Sequence, residues 1–140
     1  LKFPNLDFIW RLHPLFKFDI LRKININEKN IPSNVEYSNL SFVEDLDRCN
    51  YILYRGSSAV IQAVMSGLIP LYLHRENEMP IDPLYGLKVL KISVNTIKEL
   101  RNVIDNQQID DVEHKKAMKY CSSFFNQLNY KLLPNMLQRV

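Results

Sequence analysis

The sequence predicts an α/β domain, three-layered and Rossmann-like, with a mostly parallel sheet. Two observations carry this expectation. Tyr51-Ile52-Leu53-Tyr54 and Ile69-Pro70-Leu71-Tyr72-Leu73 are short apolar runs of the kind found in strands buried on both faces. Between them a Gly-Ser-Ser turn leads into an amphipathic segment, so strand, helix and strand follow one another as a tight crossover.

Taken in order, Asp7 to Leu12 reads as a first strand. It stops at His13-Pro14, because proline lacks a donor and biases its predecessor toward extended geometry. Leu15 to Ile26 alternates apolar and charged residues and suits a short helix, and the polar stretch Asn25 to Ser33, with Pro32, is a loop. Val35 to Tyr37 follows as a short strand. Ser41-Phe42-Val43-Glu44 has the pattern of a capping box, with a helix expected to run to about Cys49.

After the Tyr51 to Tyr54 strand comes Arg55-Gly56-Ser57-Ser58-Ala59. Gly56 lacks a Cβ, so a ligand can approach its backbone. Ser57 is the expected N-cap, which would leave the N–H groups of Ser58, Ala59 and Val60 directed out of the first turn, where the helix dipole favours an anion. Within this helix Val60, Ile61, Val64, Met65 and Leu68 recur at three and four, while Ser58, Gln62 and Ser66 form a polar line. Gly67 suits the C-cap.

Beyond the Ile69 to Leu73 strand, His74 to Gly86 is a long polar loop with two prolines, of the kind that often carries function. Val89 to Ile92 resumes a strand, and Asn95 to Asp105 has the period of a surface helix. From Asp110 to about Gln127, Val112, Met118, Cys121, Phe124, Phe125 and Leu128 lie at helical spacing behind two aspartates. Tyr130 to Val140 reads as a short terminal helix around Pro134.

The 140 residues, 46% of them hydrophobic, suit a single domain with an ordinary core. The chain opens on Leu1 rather than methionine, so a piece of a longer protein is expected. A net charge of +3, with its basic residues scattered, is too weak an excess to indicate nucleic acid. Cys49 and Cys121 fit no metal or redox spacing, and buried, reduced thiols in a cytoplasmic protein are expected. No run approaches the roughly 18 to 20 apolar residues of a membrane span. No His, Cys, Asp and Glu cluster has metal-site spacing, so no metal is expected.

In the expected fold, His13 and Ser57-Ser58 both follow strand C-termini and would share one rim of the sheet, where ligands of such folds bind. His74 follows a strand at the same rim and would be a second contact. His114, among lysines on a helix, reads as part of a solvated face.

Arg-Leu-His-Pro at a strand end, followed about forty residues later by an apolar strand and Gly-Ser-Ser-Ala-Val, resembles the nucleotide-binding C-terminal half of a GT-B glycosyltransferase. The likeness is to bacterial sialyltransferases and related enzymes with an HP and a Ser-Ser motif, and it runs from about Phe8 to Leu73. It implies that His13, as the catalytic histidine, and Ser57 and Ser58 hold the donor phosphate and help CMP leave. Developing charge on a phosphate oxygen is stabilised by such donors, loss of one costing on the order of 3 kcal/mol in other enzymes.

With them, Gly56 and Ala59 would line the phosphate site. Arg11 would meet the phosphate or pair with a carboxylate. Glu76, Glu78 and Asp82 in the long loop are candidates for ribose or base contacts. The substrate implied is a nucleotide-activated sugar, CMP- or another NDP-sugar, used in surface polysaccharide synthesis, with no further cofactor. The acceptor-binding half of a GT-B enzyme has no counterpart in these residues, so the domain is expected to bind nucleotide without transferring sugar. It would partner a missing N-terminal acceptor-binding domain, and a peripheral membrane contact of the full-length protein is left open. Two alternatives remain: a glycerophosphotransferase-like or epimerase-like relative using the same nucleotide half, and a non-catalytic α/β binding module.

Overall fold

A computed structural model describes residue 3 and residues 5–13, 31–106 and 108–125. The helices expected over 15–26 and 130–140 lie outside the described residues. The chain is α/β and divides into two compact units, Leu1–Cys49 and Asn50–Val140, each with its own small parallel sheet. Parallel pairing is as expected from the apolar strands, but it is shared between two sheets where a single one was expected.

In the first unit β1 (Phe8–Trp10) pairs in parallel with β2 (Val35–Tyr37), Phe8 opposite Val35 and Trp10 opposite Tyr37. The strand expected over Asp7 to Leu12 is therefore shorter. Asn34 fastens the entry to β2 by donating from Nδ2 to the Phe3 and Leu6 carbonyls at 2.8 and 2.7 Å. A helix α1 (Phe42–Leu46) follows, started by the expected capping box. Ser41 Oγ accepts from the Glu44 N–H, and Glu44 Oε2 accepts from the Ser41 N–H at 2.8 Å. These bonds favour the ionised form and hold the Glu44 carboxyl below its ordinary pKa. The helix stops at Leu46, short of Cys49, as its last bonds tighten: Arg48 and Cys49 donate three residues back, to Asp45 and Leu46.

The second unit is built on β3 (Tyr51–Tyr54), β4 (Ile69–Leu73) and β5 (Ile92–Val94), parallel and in that order. Pro70 sits in the central strand although it cannot donate to a ladder. Ile69 donates to the Asn50 carbonyl on the β3 side at 2.9 Å. Successive N–H groups alternate, so the Pro70 nitrogen faces the β5 side, where pairing begins one residue later at Leu71 and Ile92.

The strand expected over Val89 to Ile92 instead begins at Ile92. Leu90 has φ +52°, which no strand can pass through, while its side chain stays buried.

Between β3 and β4 lies α2 (Ala59–Met65), with Val60, Ala63 and Val64 fully buried and Gln62 and Ser66 exposed, as the period demands. It ends in a Schellman motif: the Leu68 N–H reaches the Ala63 carbonyl, the Gly67 N–H reaches that of Val64, and Gly67 takes φ +95°. Gly67 thus lies one position beyond the cap, Ser66.

Two helices follow. α3 (Ile97–Asn106) is a surface helix with no buried residue. α4 (Asp111–Ser122) is capped by Asp110, whose side chain accepts from the Val112 N–H at 2.8 Å. It packs on α2 through Ala117 and Cys121, both fully buried. The wider apolar face expected on this helix is not realised. Val112 is exposed, and the helix ends before Phe124 and Phe125, which are exposed as well. No helix among the described residues is long and apolar enough to cross a membrane.

Candidate functional site

The Gly-Ser-Ser turn sits where strand C-termini meet helix starts. β3 ends at Tyr54, the chain turns through Arg55, Gly56, Ser57 and Ser58, and α2 begins at Ala59. Gly56 is required by its conformation, since φ is +71°. Its backbone is not open to a ligand on every side, however, because a Cβ there would lie 3.5 Å from Ile81 Cγ2.

The first turn of α2 differs from expectation in two ways. Ser58, not Ser57, is the N-cap, and it makes no side-chain cap bond because it already has helical angles, φ −65° and ψ −15°. The Val60 N–H is not free either, since it donates to the Ser57 carbonyl at 3.3 Å. What remains is an exposed pair of serines, with no acceptor among the described residues for the N–H groups of Ser58 and Ala59. At seven residues α2 is about two turns long, so its dipole is small and the hydroxyls and loop N–H groups are the main attraction for an anion.

Next to the serines stands Arg55, a cation the sequence reading passed over although it immediately precedes Gly56. Its guanidinium pairs with Glu78 from the long loop. Beneath, Asp82 is 7% exposed and accepts from the Tyr54 hydroxyl at 2.8 Å and from the Leu84 N–H at 2.9 Å, both at Oδ1. Lys91 Nζ lies 3.3 Å from Oδ2, an ion pair without hydrogen-bond alignment. Burial, and then the bond to Asp82, push the Tyr54 phenol above its ordinary pKa. Glu76 receives a 3.4 Å bond from Asn95 Nδ2. Each of the three acidic loop candidates thus has an internal partner.

In the first unit, Arg11 takes the carboxylate pairing. Its Nη1 donates to Asp45 Oδ2 at 2.6 Å and to the Leu40 carbonyl at 2.7 Å, and its guanidinium lies 5.6 Å from the Phe42 ring centre. Asp45 is 4% exposed and also accepts from Ser38 Oγ at 2.6 Å. His13 is exposed and follows β1 by three residues, while Pro14 lies outside the described residues. His13 and Arg11 belong to one unit and Ser57 and Ser58 to the other.

His74 continues β4, its N–H donating to the Val94 carbonyl at 2.9 Å and its ring 6.4 Å from that of Tyr72. His114 is not on a solvated face. Its Cε1 lies 4.0 Å from where a Gly67 Cβ would stand, and its buried Nε2 has no hydrogen-bond partner among the described residues. The lysines beside it in sequence gave no sign of this.

Burial raises both thiols, that of Cys121 to about 11, which makes them poor nucleophiles at neutral pH. Among the described residues no group of three His, Cys, Asp or Glu could hold a metal ion.

Compared with family models, with curated proteins and with solved structures, the chain matches none.

Proposed function

We propose that this chain is the donor-nucleotide-binding part of a GT-B-type glycosyltransferase, its second unit holding the phosphate of a CMP- or other nucleotide-activated sugar used in surface polysaccharide synthesis. The observation that carries the reading is the junction at the end of β3. There Ser57 and Ser58 are exposed beside Arg55, and the N–H groups of Ser58 and Ala59 have no acceptor among the described residues. Hydroxyls, amides and a guanidinium in one turn form a donor set suited to a phosphate. The parallel pairing of β3, β4 and β5 agrees with half of a Rossmann-like sheet.

In this reading the serine hydroxyls and the turn amides stabilise the charge that grows on the departing nucleotide phosphate. Stabilisation by such prealigned donors is strongest in the transition state, where the charge is largest.

A non-catalytic binding module is the second reading. One observation favours it: Glu76, Glu78 and Asp82 all have internal partners rather than facing a ligand.

Titration of the 140-residue chain with CMP, CDP, UDP and GDP, read by thermal unfolding and NMR shifts, tests the proposal. A ligand at about 100 times its dissociation constant adds roughly 2.7 kcal/mol of stability. Stabilisation by a cytidine nucleotide, lost in Ser57→Ala/Ser58→Ala, is the expected result. Preference for UDP or GDP keeps the phosphate site and removes the sialyltransferase-like donor class. Absence of binding at millimolar nucleotide overturns the reading.

A further inference from the structure

Residues 75–81 are all exposed and cross the Gly56 turn as a strap between two fixed ends. At one end the His74 N–H is tied to the Val94 carbonyl. At the other, Asp82 is held by the Tyr54 hydroxyl and the Leu84 N–H, and Leu84 is buried in the core. Between them the strap bends at Asn77, φ +66°, and meets the turn through Glu78, paired with Arg55, and Ile81, packed over Gly56.

We propose that this strap is a latch on the serine turn: Glu78 holds the Arg55 guanidinium when the strap is closed, and the phosphate of an arriving nucleotide displaces Glu78, taking Arg55 as its own ligand. The latch rests on the phosphate reading of the turn given above.

Carboxylate and phosphate compete for the same planar fork of donors, so Glu78 is an internal mimic of the ligand. The pair is 30% and 43% exposed at its two side chains, and ion pairs so placed are weak enough to be exchanged. A phosphate carries more charge than a carboxylate and gains the hydroxyls of Ser57 and Ser58 at the same time, so the exchange runs toward the ligand. Ile81 is already 62% exposed, and lifting it uncovers little further apolar surface. The anchors at His74 and Asp82 confine the motion to the segment between them. While the latch is closed it lowers the apparent affinity by the fraction of molecules in that form.

The test uses the 140-residue chain, with Glu78→Gln, the charge-neutral Ile81→Ser, and Arg55→Ala. Amide hydrogen exchange over residues 76–81 and 56–58 is followed without ligand, and CMP and inorganic phosphate are titrated by NMR. For Glu78→Gln, exchange is expected to rise and the dissociation constant to fall, each about two- to fivefold, the range an exposed ion pair can hold closed; Ile81→Ser is expected to change both in the same direction by less. Arg55→Ala is expected to weaken binding and to cancel the gain when combined with Glu78→Gln. Unchanged exchange in Glu78→Gln overturns the latch. If parent and Glu78→Gln bind CMP equally well, the latch falls and the phosphate site stands. If neither binds CMP or phosphate, the nucleotide reading falls, and the latch with it.

Discussion

The hydroxyl of Tyr54, the last residue of β3, donates to Asp82 Oδ1 at 2.8 Å and thereby fastens the end of the long loop to the end of a strand. Both groups are buried, so the bond is shielded from water and its loss is felt.

Tyr54→Phe leaves Asp82 one donor short and is expected to cost about 1–3 kcal/mol in urea unfolding. The pH dependence follows from the raised phenol pKa. An unfolded tyrosine gives up its proton from about pH 10, whereas folded Tyr54 keeps it. The stabilisation is complete below pH 10 and declines above it, so the gap between parent and variant should narrow there. A gap that stays constant through pH 11 would count against this account.

Cys121 provides a second pH test. Burial raises its thiol from 9.0 to about 11, so the unfolded chain loses this proton first as pH rises. Stability from this group is intact below pH 9 and is lost between 9 and 11, by on the order of 2–3 kcal/mol in all. Cys121→Ala should be less stable at neutral pH, through lost packing, yet show a shallower decline over that window than the parent. Equal slopes would mean that the thiol does not titrate as its burial implies.

Gly86 faces the ring of Tyr120, and a Cβ added there would lie 2.6 Å from the Tyr120 hydroxyl. Gly86→Ala is expected to destabilise by about 1–3 kcal/mol through overpacking. Adding Tyr120→Phe removes the clashing atom and should restore more than half of the loss. A double-mutant cycle in thermal unfolding measures the coupling, and additivity would exclude the contact.

Arg11 is held by Asp45 and the Leu40 carbonyl. Arg11→Ala leaves a nearly buried carboxylate with Ser38 Oγ and a distant Arg48, and is expected to cost about 1–3 kcal/mol. Nucleotide affinity should not change. Weaker CMP binding at unaltered stability would return Arg11 to the phosphate.

The parts of the fold legible in the sequence are those decided by neighbours a few residues apart. The Ser41–Glu44 capping box and the buried stripe Val60-Val64 need only local geometry and are found where their patterns predict them, while Gly67 ends α2 one position beyond the cap it was expected to form. The start of β5 was misread because Val89-Leu90 looks like strand, whereas Leu90 turns left-handed to bury its side chain. Phe124 and Phe125 keep helical spacing with Cys121 but lie past the point where α4 ends.

For the candidate site the division is the same. Gly56, Ser57 and Ser58 stand out in the sequence because a turn between an apolar strand and a helix has a composition of its own. That Arg55 joins Glu78 and that Ile81 covers Gly56 are set by a loop returning from more than twenty residues away. Composition and periodicity carry information over one or two turns of helix or a few strand residues. Partners brought together by a long loop depend on the packing of the whole unit, so the tertiary structure alone decided them.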